Sequence, residues 1–144
     1  MRNILSFRDL EVWQSAMEIA VMAHRIADEF PSEQRYALGA QIRRASTSIA
    51  SNIAEGYAHR GMRTYLRHVR IALGSHAELD TQLDIACRLK LVGQKQIEAI
   101  GSELKRCRQL LYGLQRSLAL RTLGVATTIG AFTAAAWLVR SVVA

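Results

Sequence analysis

Arg60, Arg63, Arg67 and Arg70 stand at relative positions 0, 3, 7 and 10, a spacing that lines four guanidinium groups along one stripe of a helix. Arginine forks match phosphate oxygens, so the chemistry such a stripe offers is contact with a nucleic-acid backbone. Arg43 and Arg44 join the cationic set, as do Lys105, Arg108 and Arg116 further on. Few acids lie close enough to neutralise the stripe: Glu55 precedes it, and the next are Glu78 and Asp80. The competing reading is a solvated face, or ion pairs between subunits with Glu11, Glu18 or Asp84. No aromatic platform of the kind that stacks RNA bases accompanies the arginines.

His24, His59, His68 and His76 raise the question of a metal. A di-iron bundle needs inward glutamates and Glu-x-x-His on two helices, and no Glu-x-x-His occurs here. The pairs Glu55 with His59 and His76 with Asp80 lie four apart, which suits local contacts on a helix surface. Cys87 and Cys107 sit inside apolar helical patterns, as small buried hydrophobes do. There is no Walker loop, nucleophile elbow or paired-cysteine site, and the corner from Gly56 to Gly61 lacks the lysine and strand of a phosphate loop. These residues predict a non-enzymatic protein that needs no metal and no cofactor.

The elements that must hold these side chains are helices. With one proline and nine glycines in 144 residues, the composition favours long helices, and that length supports one sizeable core without disulfides or metals. Asp9 is placed to cap a first helix running to about Phe30, with Leu10, Trp13, Met17, Ala20, Val21, His24 and Ala27 on one face. After Pro31 a second helix runs from Ser32 or Arg35 to Gly56, burying Leu38, Ile42, Ala45, Ile49 and Ile53. Its run of small residues, Ser46 to Asn52, predicts a close helix contact, and Gly56 a left-handed cap. A third helix from Met62 to Leu89 or Leu91 buries Leu66, Val69, Leu73, His76, Leu79 and Leu83, and Val92 and Gly93 end it. The fourth starts near Gln94 and carries a seam of Ile97, Ile100, Leu104, Cys107, Leu111, Leu114 and Leu118. Short connections between four such helices predict an all-α fold, an antiparallel up-down-up-down four-helix bundle over residues 1–118.

Residues 119–144 form a different region. Thr122 to Val139 is a run of eighteen uncharged residues bracketed by Arg116, Arg121 and Arg140. As a continuation of the fourth helix it would be roughly 27 Å long, close to the hydrocarbon thickness of about 30 Å. Gly124, Ala126, Gly130 and Ala134 give it the small-residue spacing that lets membrane helices pack, and Trp137 suits an interface. The run predicts a transmembrane anchor with the bundle in the cytoplasm, attached to the inner membrane; the alternative is a tail packed inside a soluble oligomer. The N-terminus has no apolar stretch resembling a secretory signal. The net charge is +7, from 19 Lys or Arg against 12 Asp or Glu, which favours an anionic partner of some kind: nucleic acid, acidic protein or anionic lipid.

Three stretches together, FRDLEVWQSAMEIA, QIRRASTSIASNIAEGYAHR and YLRHVRIALGSHAELDTQLDIACRLKLV, resemble a bacterial four-helix bundle family. It was first noted as proteins encoded in intervening sequences of large-subunit ribosomal RNA genes, and the accessory variability protein of diversity-generating retroelements is a relative. The resemblance spans about Phe7 to Leu118. Phe7, Asp9, Leu10, Trp13, the Arg43-Arg44 pair, Ser51 to Gly56, Ala72 to Ser75, Glu78 and Leu79 carry it. It implies an up-down bundle that assembles as a basic, barrel-like homopentamer, and for some members binding to RNA or to a nucleic-acid enzyme. Typical members end near residue 118, so the apolar tail is a departure. The combined expectation is an oligomeric scaffold tethered by its tail, with an RNA- or DNA-binding accessory protein as the alternative.

Overall fold

Apolar side chains recurring at three- and four-residue steps need a partner surface, and this chain supplies it by packing its helices on one another. The structure is a computed structural model describing the backbone of residues 5–142 and the side chains of residues 5–124. A 3-10 turn (Phe7–Asp9) leads into α1 (Glu11–Asp28), a short α2 (Ser32–Tyr36), α3 (Leu38–Ala58), α4 (Met62–Arg88) and α5 (Gln94–Val142). The fold is all-helical, with four long helices and no strand among the described residues.

Each long helix packs on two others: α3 on α1 and α4, α5 on α4 and α1. Side-chain contacts give the directions. Asp28 meets Arg43 and His24 meets Thr47 between α1 and α3. Ser48 meets Ser75 and Asn52 meets His68 between α3 and α4. Glu11 meets Arg106, Ser15 meets Glu103 and Glu29 meets Gln96 between α1 and α5. In every pair the numbers fall along one helix as they rise along the other. The core holds Ile19, Ile42, Ile49, Ile53, Val69, Leu79, Ile100 and Leu111, all sealed from solvent. The expected α5 seam is buried at Ile100, Leu104, Cys107, Leu111 and Leu118, with Ile97 and Leu114 half-buried against it.

Several local expectations are corrected. Asp9 caps the 3-10 turn, not α1: its carboxylate accepts from the Ser6 amide at 2.9 Å and the Leu5 amide at 3.0 Å. In α1 the buried face is Val12, Ser15, Ala16, Ile19, Ala23, Ile26 and Ala27, while Met17, Val21 and His24 are exposed. Small residues let α1 approach two neighbours at once, and that selects the face from a sequence apolar over more than one stripe. The second expected helix is two, broken at Ala37. The break lets Gly39 close on α1, where a Cβ would meet the Ala27 carbonyl at 3.4 Å and its methyl at 3.5 Å.

The helix ends differ as well. Among the described residues no glycine has positive φ, and the left-handed positions are Arg60 (φ 53°) and Lys90 (φ 57°), just past α3 and α4. At Lys90 the amides of residues 90 and 91 bond to the carbonyls of Cys87 and Ala86 at 2.9 Å each, the paired closure of a Schellman turn. Gly56 lies inside α3 and is buried.

Candidate anion-binding interface

The arginine stripe follows from where α4 begins. Its first residue is Met62, with Gly61 as N-cap, so Arg63, Arg67 and Arg70 lie on the helix while Arg60 lies in the turn before it. All four are exposed. The three helical arginines point away from the side that buries Leu66, Val69 and Ala72. No ion pair among the described residues engages Arg44, Arg60, Arg63, Arg67 or Arg70.

Arg43 behaves otherwise. Its guanidinium bonds Asp28 at 2.6 Å and donates to the Arg35 carbonyl at 3.1 Å, tying α3 to α1 and α2. The same hydrogen bond holds the Asp28 carboxyl below the usual carboxylate range. Arg43 is therefore committed to the fold, whereas its neighbour Arg44 is exposed and lines an open groove of about 570 Å³ with His24, Ala40, Thr47 and Ser51. The small-residue run divides accordingly: Ser46 and Ala50 face the core, Thr47 and Ser51 the groove.

Behind the stripe is a polar cluster that sequence spacing does not disclose. Ser48 Oγ and Ser75 Oγ share a hydrogen bond at 2.8 Å, and Asn52 Nδ2 donates to the Ser48 carbonyl at 2.9 Å. Asn52 Oδ1 lies 3.1 Å from His68 Nδ1, and the His68 ring stacks on His59 at 5.5 Å. Ser48 and Asn52 make the contact with α4 expected of the small-residue run, and Gly56, expected as a cap, lies beyond that run as a second close approach. A Cβ there would meet the Tyr65 ring at 2.5 Å and His68 Cβ at 2.9 Å, so the absent side chain is what seats both rings. Tyr65 meets Tyr57 edge-on at 6.3 Å, and its phenol is pushed up to about 12, chiefly by burial. The available signal was the stretch Ser51 to Gly56, whose polar and small residues supply Asn52 and this close approach.

His76 Nε2 bonds the Leu104 carbonyl at 2.8 Å in the core and joins α4 to α5. Cys107 is buried and Cys87 half-buried, and neither forms a disulfide. Among the described residues no three His, Cys, Asp or Glu side chains gather as a metal would require. Gly124 is exposed on α5; Ala126, Gly130 and Ala134 lie outside the described side chains. No helix is long and apolar enough to cross a membrane among the described residues, and most side chains of the run from Thr122 to Val139 lie outside those described.

Residues 8–113 match the family described as 23S rRNA-intervening sequence protein. The chain belongs to that family. A crystal structure of a protein of unknown function from the S23 ribosomal protein family of Bacteroides thetaiotaomicron superposes with a TM-score of 0.68 at 24% identity. The alignment covers 73% of this chain and 95% of that one, a likeness of fold. Comparison with curated proteins gives no match. The family span includes Arg43, Arg44 and the whole stripe, and it stops before Arg121 and the apolar tail.

Proposed function

We propose that this family member is a non-enzymatic scaffold: an antiparallel up-down-up-down four-helix bundle that assembles with copies of itself as a homopentamer. The far end of α5 tethers it to the inner membrane, with the bundle in the cytoplasm. The observation that carries the tether is the length of α5, one helix from Gln94 to Val142. Leu118 is the last buried core residue among the described side chains. From there to Val142 the helix runs roughly 36 Å, at about 1.5 Å per residue. The uncharged run from Thr122 to Val139 rides on that continuation. Self-assembly is supported by exposed apolar side chains on outer faces, Met17 and Val21 on α1 and Ile71 and Ile85 on α4.

Flotation with lipid vesicles followed by carbonate extraction tests the tether. The full chain stays with the lipid, and Gly130→Arg, at a cost of about 2.5–3.5 kcal/mol for a charge at the centre of a span, releases it. A full chain that remains dissolved without lipid or detergent rules the tether out.

A second reading has its own observation, the exposed Arg63, Arg67 and Arg70, which no ion pair among the described residues engages. On it the protein is an accessory that binds RNA or DNA backbone, or delivers a nucleic-acid enzyme to it. Affinity for RNA then falls steeply with salt, and Arg67→Glu with Arg70→Glu flattens the salt dependence by about one unit of slope for each arginine taken off a phosphate. Unchanged affinity in that double variant removes this reading.

A further inference from the structure

Where α4 starts and α5 leaves the core, the fold forms a pocket of about 370 Å³. Tyr57, Arg60, Met62 and Tyr65 line it from the α3–α4 corner, and Leu118 and Arg121 from α5. Its donors have no other employment: neither arginine makes an ion pair among the described residues. The Tyr65 ring stands half-buried in the wall, its hydroxyl oxygen sealed from solvent. The α4 start adds to this, since Gly61 offers no side-chain cap and the first turn holds no acid, leaving amide groups that favour an anion. Two guanidinium forks beside a helix start suit the several oxygens of a phosphate better than a carboxylate's two. Met62, Leu118 and the tyrosine rings give the same site an apolar wall.

Position selects the source of that phosphate. Arg121 immediately precedes Thr122, the first residue of the uncharged run, so the pocket lies at the level where a tethered bundle meets the headgroups. We propose that this pocket binds the phosphate of an anionic phospholipid between Arg60 and Arg121, with the glycerol and first acyl carbons against Met62 and Leu118. The placement at a membrane surface rests on the tether; the phosphate chemistry of the pocket does not.

The test uses the full chain in a neutral detergent and soluble short-chain probes: dihexanoyl phosphatidic acid, dihexanoyl phosphatidylcholine and glycerol 3-phosphate. Phosphatidic acid binds at least about tenfold more tightly than either of the others, because only it joins an unmasked phosphate to an apolar body. Arg60→Gln and Arg121→Gln each weaken it about tenfold. Arg88→Gln, an equal charge loss at the far end of α4, leaves it unchanged. Equal binding of phosphatidic acid and phosphatidylcholine overturns the site, as does an Arg88→Gln loss matching that of Arg121→Gln. Equal binding of glycerol 3-phosphate overturns the lipid as its source. Because these probes act without a bilayer, failure of the tether in flotation and failure of the pocket are separate results.

Discussion

Gly56 carries no side chain because α3 and α4 meet there. Alanine is the better helix former by about 1 kcal/mol, yet its methyl would stand 2.5 Å from the Tyr65 ring. Overpacking of that kind costs about 1–3 kcal/mol, so Gly56→Ala is expected to lower the melting temperature by several degrees and to disturb the Tyr65 environment seen by near-UV dichroism. Cys107 is the second residue with a clear outcome. Burial first, and the Glu103 carboxylate after it, push its thiol from 9.0 up to about 11, against a lowering hydrogen bond with Ser15. The folded state keeps a proton the unfolded state gives up. This contribution to stability is complete below pH 9 and is lost as pH rises toward 11. Alkylation at pH 8 should therefore mark Cys87 in the native protein and Cys107 only after unfolding in guanidinium, as mass spectrometry of the labelled peptides would show.

Helix ends and helix charges set what the elements do. Lys90 closes α4 in the left-handed region, where a Cβ is unfavourable. Lys90→Gly should stabilise the chain by about 0.5–1 kcal/mol in guanidinium unfolding, while Lys90→Ala should give no such gain. Arg63 occupies the first turn of α4, the positive end of the helix dipole, with no acid beside it. Arg63→Glu is expected to raise stability by about 0.3–1 kcal/mol while weakening the binding of any polyanion. A residue that costs stability in its own helix and repays it on a ligand would lose in one assay what it gains in the other. Unchanged anion binding in Arg63→Glu would leave the stripe as an ordinary solvated face.

Across the whole molecule charge and apolar side chains share the exposed faces. Ile71 stands beside Arg67 and Arg70 near the start of α4, while Met17, Val21 and Ile85 are exposed further along α1 and α4. Val21→Glu with Ile85→Glu is expected to reduce the assembly toward the 16.0 kDa protomer in detergent, with little change in melting temperature, since both side chains are already exposed. An unchanged assembly mass would move the subunit contact to other faces.

The all-helical character, the α3 to α5 core residues and the exposed face of Arg63, Arg67 and Arg70 were legible in the sequence, because each rests on periodicity within one segment; Arg60, expected on the same stripe, lies in the turn before α4. The α5 seam from Ile100 to Leu118 is buried as its spacing requires. The face that α1 buries, the break at Ala37, the use of Gly56 for close approach and the engagement of Arg43 by Asp28 were decided only by tertiary structure. So was the meeting of Arg60 with Arg121, far apart in the chain, at one pocket. Local spacing determines which side chains share a helix face; which of those faces meet depends on how closely two backbones can approach, and that is a property of the pair.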